Sequence, residues 1–418
     1  MVLQVFEYDT ITVGEKFQWK HFNCLRERMG KESNSTFPYY SVVKEQGKDG
    51  IKFKQFVGVI QVYDLTIEIL PKTDRSSENM DWKSSLLYML SQIYKLKIYS
   101  ETQALQNVTK SSILDLVLSR FLEATEEILH QGLVKTYRFQ RENTYSLKGR
   151  LQFSEHLIKN NIHKERFFVN HSEYDYSHIM NRILLTTVDY IKDSHCSSAI
   201  RQRAAICMNR FPEIEKVEIN ERLFELLTYN RKTKCYKDAI SLAELIHFNN
   251  MPNLSSGKRE TFSMLFDMNK LWEEFVYVTL RKNLSERYTV KEQVHKHFWE
   301  SQHIHIRKKI KPDILVKDRE IDRTFVLDTK WKQPNAMSPS DSDLHQMYAY
   351  YKYFDATKVS LLYPASTSSE EIIPGTFSKY TSAPCDLLFL PIPRPEEGGK
   401  LWQKQIATTI EGWLNFID

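Results

Sequence analysis

Glycine and cysteine are both scarce, with 12 and 5 residues in a chain of 418. Cys24, Cys196, Cys207, Cys235 and Cys385 are scattered with no CxxC pair, which argues against a disulfide framework and against a cysteine-based zinc site. No apolar run approaches the roughly 20 residues that a spanning helix needs. The opening MVLQVFEYDT lacks the basic-then-apolar order of a secretory leader. A soluble, cytoplasmic protein with no membrane attachment is therefore expected. A phosphate-cradling GxxxxGK[ST] loop is also missing, because Gly257-Lys258 and Gly399-Lys400 lack the upstream glycine and the following Ser or Thr. Internal repeats and low-complexity tracts are absent too.

What is present is ordinary in bulk and specific in detail. Apolar residues make up 41% and aromatics 12%, enough for more than one core, and the length suggests two to three domains. With 58 basic and 53 acidic residues the net charge is +5, which permits nucleic-acid contact without requiring it.

The pattern along the chain predicts an α+β multidomain protein with three segments. Residues 1–80 read as a β-rich N-terminal domain, in which Phe53–Pro71 is dense in β-branched and aromatic residues and Gly58 marks a bulge or turn. Within it, Asn23–Gly50 is polar and turn-prone, a candidate long hairpin or projecting loop. Residues 81–252 read as mainly helical: Leu86, Leu87, Leu90 and Ile93 recur at helical spacing, as do Ile113, Leu114, Val117, Leu118, Phe121 and Leu122. A hairpin-like break is expected at Tyr145–Leu151, where Gly149 permits a tight turn. The Pro-Asn-Ser-Gly cluster at Pro252–Gly257 is the best linker, leaving 258–418 as a third domain. That domain alternates: a helix over Thr261–Leu280, strands over Ile304–Lys317 and Arg323–Lys332, a helix over Asp343–Phe354, strands over Val359–Tyr363 and Asp386–Ile392, and a closing helix over Trp402–Ile417. A mixed sheet flanked by helices follows.

The chemistry-bearing segment is Lys311-Pro312-Asp313, followed 15 positions after Asp313 by Asp328-Thr329-Lys330. Asp328 and Lys330 are two apart on a strand and share a face. If Asp313 ends the neighbouring strand, two carboxylates and an ammonium converge. That set suits a hard divalent cation such as Mg²⁺ and the hydrolysis of a phosphodiester. The competing reading is an Asp–Lys pair at a surface strand end. Glu273 borders the apolar face formed by Phe266, Val276 and Leu280, where a buried acid needs a partner, and is a fourth candidate. Its neighbour Glu274 falls with Asp267, Lys270 and Arg281 in a solvated ion-pair setting. Gln346 and Tyr350 are four apart on the next helix; phosphate contact and an ordinary polar helix face are equal readings.

Two further clusters flank this set. The run Arg307-Lys308-Lys309-Ile310-Lys311 reads either as phosphate contact or as a basic edge that blocks strand pairing, and Lys330 and Lys332 tilt the balance toward DNA. Candidate DNA contacts are Lys308, Lys309, Lys311, Lys332 and Tyr350. His295, His297, His303 and His305 form an HxH…HxH set that could bind zinc, but strand histidines beside a DNA surface are the blander account.

The ordered set Met268–Glu273, Lys311-Pro312-Asp313, Asp328-Thr329-Lys330 and Gln346–Tyr350 resembles the McrC family, the nuclease subunit of McrBC-type modification-dependent restriction systems. Gly58-Val59-Ile60, Ile69–Lys72, Leu147–Leu151 and Asn181-Arg182 extend the resemblance over most of the chain. It implies a C-terminal PD-(D/E)xK endonuclease with Asp313, Asp328 and Lys330 in the catalytic positions and Glu273 and Gln346 as accessory acid and glutamine. It further implies that Asp313, Asp328 and Glu273 hold Mg²⁺, with Mn²⁺ as a substitute. The N-terminal part would dock on a hexameric AAA+ GTPase, McrB, and stimulate it, and the DNA cut would be double-stranded and modified. The alternatives are a non-catalytic adaptor of such a motor and a stand-alone repair nuclease.

Overall fold

The computed structural model describes residues 1–29, 37–71, 82–94, 113–194, 196–248, 261–301, 306–332, 338–365, 371–377, 383–392 and 399–416. The chain divides into two compact units, one formed chiefly by Met1–Ile113 and Ser263–Asp418, the other by Leu114–Met251. This corrects the three-segment division. The sequence linker near Pro252 marks one end of an inserted unit, and the β-rich N-terminal segment shares its unit with the C-terminal segment, because strands far apart in sequence pair in one sheet.

The first unit opens with β1 (Val2–Phe6), β2 (Thr10–Thr12), α1 (Trp19–Arg28), β3 (Tyr40–Glu45), β4 (Lys48–Phe53), β5 (Phe56–Val62), β6 (Leu65–Leu70) and α2 (Trp82–Ile93). Val57, Val59, Ile60 and Val62 are all fully buried, so both faces of β5 are covered and its sequence is a continuous apolar run rather than an alternation. Strands β3 and β4 form an antiparallel hairpin with β2 on the other side of β4. The polar stretch Asn23–Gly50 is thus no single projecting loop. Its start lies in α1, whose Phe22 and Leu25 are buried, and its end is the β3–β4 hairpin; residues 30–36 lie outside the described residues.

The second unit contains α3 (Ile113–Gln131), β7 (Thr136–Thr144), β8 (Arg150–Leu151), α4 (Phe153–Lys159), β9 (Phe167–Asp175), α5 (Ile179–Lys192), α6 (Ser198–Met208), α7 (Glu221–Glu225) and α8 (Lys237–Phe248). Its helical core includes Ile183, Leu184 and Val188 of α5 and Ile240, Ala243 and Ile246 of α8. Asn181, fully buried, donates to the carbonyls of Val134 and Tyr176 at 2.8 Å each and accepts from the Tyr236 hydroxyl at 2.7 Å. The region is mainly helical as expected, and the antiparallel sheet β7-β9-β8 is what the sequence reading left out. Strand β7 (TYRFQRENT) has no buried residue, so it carries no apolar periodicity to read. Gly149 adopts φ +64, and a Cβ there would meet the Asn170 carbonyl oxygen at 2.6 Å, as expected for a tight approach.

The first unit resumes with β10 (Thr261–Asp267), α9 (Met268–Asn283), β11 (Tyr288–Glu292), β12 (Lys296–Ser301), β13 (Ile306–Ile310), β14 (Ile314–Asp318), β15 (Thr324–Thr329), α10 (Asp341–Tyr353), β16 (Lys358–Ala365), β17 (Glu371–Ile373), β18 (Cys385–Pro391) and α11 (Gly399–Asn415). The expected helix over Thr261–Leu280 begins only at Met268. Thr261–Asp267 is a strand instead, completing the sheet β1-β6-β5-β10, and the Asp267 side chain caps the helix by accepting from Asn269 N.

The sheet that organises the rest has the order β11-β14-β15-β16-β18-β17. Strands β15, β16 and β18 run parallel, and β11, β14 and β17 pair antiparallel to their neighbours, so the sheet is mixed as expected. Its two faces are covered by different helices. Met347 and Tyr350 of α10 pack with Val326, Val359, Leu361 and Leu387. Phe325, next to Val326 and therefore on the other face, meets Trp413 of α11 at 5.8 Å between ring centroids. Phe275 of α9 packs against Trp402 of α11 with ring centroids 4.5 Å apart.

Candidate active site

Strands β14 and β15 lie antiparallel with Ile314 opposite Leu327, which brings Asp313, just before β14, alongside the end of β15. Asp313 Oδ2 accepts from Thr329 N at 2.7 Å and from Thr329 Oγ1 at 2.8 Å. The acid is thereby locked by the residue between Asp328 and Lys330. Asp328 follows the buried run Phe325-Val326-Leu327 and is itself 1% exposed. Alternation puts it on the α10 face of the sheet with Val326 and Lys330.

Lys330 Nζ stands 2.7 Å from Asp328 Oδ2, donates to Gln346 Oε1 at 3.2 Å, and lies 3.6 Å from Asp343 Oδ1. Gln346 in turn donates from Nε2 to the Tyr350 hydroxyl at 2.7 Å, and that hydroxyl donates to the Lys311 carbonyl at 2.7 Å. A continuous chain of contacts therefore runs from Asp328 through Lys330, Gln346 and Tyr350 to the backbone two residues before Asp313. Glu273, on α9, accepts from Gln293 Nε2 at 2.9 Å, and the Gln293 backbone N–H donates to the Asp313 carbonyl at 2.9 Å.

The electrostatics tie the acids together. Burial pushes the Asp328 carboxyl up to about 7, and the charge of Asp313 adds to the effect while Lys330 opposes it. Glu273 is raised by burial and then by Asp313. Burial pulls Lys330 down, but the surrounding carboxylates outweigh it, led by Asp328, so its pKa is raised and the ammonium is retained. Carboxylates that raise one another's protonation in a half-buried pocket favour a cation between them, and all-oxygen donors suit a hard one. The residues fit such an ion by donor chemistry. They do not form a finished cage: among the described residues no three His, Cys, Asp or Glu side chains stand ready to close on a metal.

The sequence-derived candidates fare unequally. Asp313, Asp328, Lys330 and Gln346 come together, and Glu273 reaches the group through Gln293. Lys308, Lys309 and Lys311 are exposed. Lys332 is bound to Asp343 Oδ2 at 2.6 Å, so its charge is already countered within the protein. Tyr350 is corrected: at 2% exposed, with its hydroxyl spent on Lys311, it supports Gln346 and the loop before Asp313 and has no surface for DNA. His295 and His297 are exposed, and His303 and His305 lie outside the described residues. Sequence reasoning missed Asp343, a 6% exposed carboxylate that touches both Lys330 and Lys332. Its position three residues before Gln346 on α10 was the available signal.

Comparison with known proteins bears on this arrangement. The family described as McrBC 5-methylcytosine restriction system component matches residues 51–364. A search of curated proteins finds no match. Among solved structures, a chain from a half-complex of the tetradecameric assembly of Thermococcus gammatolerans McrB AAA+ hexamers with bound McrC is similar in fold. It aligns at TM-score 0.66 and 17% identity over 99% of this chain and 100% of that one. A chain from the cryo-EM structure of the T. gammatolerans McrBC complex aligns at TM-score 0.49 and 19% identity over 68% of this chain and 89% of that one. With the family match spanning well over half of its residues, this chain belongs to the McrBC 5-methylcytosine restriction system family.

Proposed function

We propose that the protein is the DNA-cutting subunit of a McrBC-type restriction complex, with a PD-(D/E)xK endonuclease site at the ends of β14 and β15. The observation that carries this reading is the convergence of Asp313, Asp328 and Lys330 on adjacent strand ends, with Lys330 held by Gln346. In this reading Asp313 and Asp328, with Glu273 behind Gln293, hold a Mg²⁺ ion, for which Mn²⁺ substitutes. Bound there, the ion would supply Lewis acidity and lower the pKa of a water for attack on phosphorus.

The chain's own residues do the remaining work. Lys330 keeps its proton beside Asp328 and presents an ammonium to the non-bridging oxygens of the phosphate as negative charge builds on them. Gln346 fixes the lysine and Tyr350 fixes Gln346, so the ammonium is positioned before substrate arrives. Thr329 holds the Asp313 carboxylate through Oδ2 by its backbone and hydroxyl, so only the other oxygen of that group is left for the ion.

A separate motor completes the reading. The T. gammatolerans assembly to which this fold is similar contains McrB AAA+ hexamers with bound McrC. No phosphate-cradling loop occurs in this sequence, so the energy for DNA translocation would come from an AAA+ GTPase hexamer of that kind. The N-terminal segment is our candidate for docking on it.

The test is plasmid cleavage with Mg²⁺, GTP and the partner motor, comparing wild type with Asp328→Ala on cytosine-methylated and unmethylated DNA. Cutting by wild type alone supports the nuclease, and a methylation requirement supports modification dependence. If neither protein cuts but both accelerate GTP hydrolysis, the chain is an adaptor. Cutting by the isolated chain would point to a stand-alone nuclease.

A further inference from the structure

Among the described residues, strands β12 and β13 pair only with each other and are not part of the six-stranded sheet. Apart from Ser301 and Ile310, every residue of the two strands is exposed. An isolated two-stranded ribbon is marginal in water, so one that displays tryptophan and consecutive lysines invites a binding partner. Its base is anchored. Lys296 donates to the Tyr353 carbonyl at 2.7 Å, and Phe298 packs on the Tyr353 ring at 5.0 Å between centroids. Those contacts tie the ribbon to the end of α10, the helix that carries Gln346.

The side chains left over have one chemical character. Arg307 is paired with Glu300 at 3.0 Å, the only acid on either strand. His297 stands opposite Lys309 and Trp299 opposite Lys308, with the register shifting between the two pairs. Among the described residues Lys308 and Lys309 have no carboxylate partner, and Trp299 is 49% exposed. The chain then passes directly from Ile310 through Lys311 and Pro312 to Asp313. Asp313 is five positions after Lys308, which caps the distance between their Cα atoms at roughly 18 Å, or about five base-pair steps along a duplex.

We propose that the β12–β13 ribbon is an arm that grips double-stranded DNA beside the scissile phosphate, with Lys308 and Lys309 on backbone phosphates and Trp299 packed into the groove. The proposal rests on the nuclease reading for the nearness of the cut, and the charge of the ribbon selects the partner. A cationic two-stranded ribbon matches the width of a major groove and the charge of its phosphate walls. A protein partner would have to place carboxylates opposite both lysines, whereas a duplex offers a phosphate at every step. A basic edge that merely blocks strand pairing would give no reason for the half-exposed tryptophan.

The experiment is equilibrium binding of the full-length chain to a fluorescent duplex, without divalent cation, over a salt series from about 50 to 200 mM. For Lys308→Gln/Lys309→Gln the slope of log affinity against log salt falls by about 2, with an affinity loss of about tenfold. Trp299→Ala weakens binding at every salt concentration and leaves the slope unchanged. No core depends on these three side chains, and circular dichroism checks that each variant folds. Wild-type affinity and slope in the double lysine variant overturn the arm, as does a wild type that fails to bind duplex at the lowest salt. Cleavage with the motor present separates this from the nuclease reading. A wild type that cuts while both ribbon variants bind and cut normally removes the arm and keeps the nuclease. A wild type that binds through the ribbon but never cuts keeps the arm as a DNA surface and removes the nuclease.

Discussion

Trp331 donates its indole N–H to Glu7 Oε1 over 2.7 Å, joining the residue after Lys330 to the loop after β1 across 324 positions of sequence. Both side chains are buried, Glu7 at 2% and Trp331 at 5% exposed, and the Trp331 ring lies 5.5 Å from that of Trp272, the residue before Glu273. The N-terminal sheet and the candidate site thus share a hydrogen bond one residue away from the proposed catalytic lysine.

Removing that acceptor has a measurable cost. Glu7→Ala leaves the indole N–H without its carboxylate and is expected to destabilise the protein by about 1–3 kcal/mol, whereas Glu7→Gln keeps an acceptor oxygen and costs less. Denaturant midpoints of the two variants check this. Equal midpoints for Glu7→Ala and wild type would mean the bond contributes nothing.

Lys330→Ala and Asp328→Asn are expected to lower DNA cleavage by at least about a hundredfold while leaving motor stimulation in place. The two activities are read in one reaction, as nicked plasmid and released phosphate. Retention of cutting in either variant would falsify the site assignment.

Tyr350→Phe separates positioning from DNA contact. The hydroxyl is buried between Gln346 and the Lys311 carbonyl, so its loss is expected to slow cleavage about tenfold or more and leave duplex affinity unchanged. A drop in affinity with normal single-turnover cleavage would restore Tyr350 as a contact residue.

Gly58 has φ +133, and a Cβ there would sit 2.0 Å from the Met264 carbonyl oxygen of β10. Gly58→Ala is expected to cost at least about 2 kcal/mol. Gly47, at φ +79 in the β3–β4 turn, has nothing within 4 Å of the same added atom and serves as the control, with a cost near 1 kcal/mol. Thermal melting of the two variants tests whether close approach of β10, and not backbone strain alone, requires the glycine.

His247 reports on the second unit. Burial lowers its pKa to about 4, and its ring accepts or donates one hydrogen bond to Thr187 Oγ1 at 3.0 Å. The unfolded residue titrates near 6.5, so the folded state resists a proton that the unfolded state takes up. The contribution is complete above about pH 6.5 and is lost as pH falls toward 4, by at most about 3 kcal/mol. His247→Gln is expected to flatten the fall in that unit's melting temperature over this window; an unchanged profile would place the acid sensitivity elsewhere.

Local chemistry is written in neighbouring residues. Asp328 and Lys330 share a face because strand side chains alternate, and the apolar run Phe325–Leu327 announces the strand that carries them. The helices α2 and α3 were legible from the spacing of their apolar residues, α10 from the Ser and Asp that precede it, and the mixed sheet from the alternation of helix and strand. Tertiary structure decided what depends on partners distant in the chain. Strand β7 was invisible because an exposed ribbon has no apolar period, and β10 read as helix because a strand buried on both faces resembles any apolar run. Tyr350 changed role once its hydroxyl met a carbonyl 39 residues upstream, and Asp343 became part of the site only when α10 packed over β15. The union of the N-terminal and C-terminal segments in one unit rests on β10 pairing with β5 and on Trp331 reaching Glu7. Such contacts follow from close packing of the whole chain, and no window of sequence contains both partners.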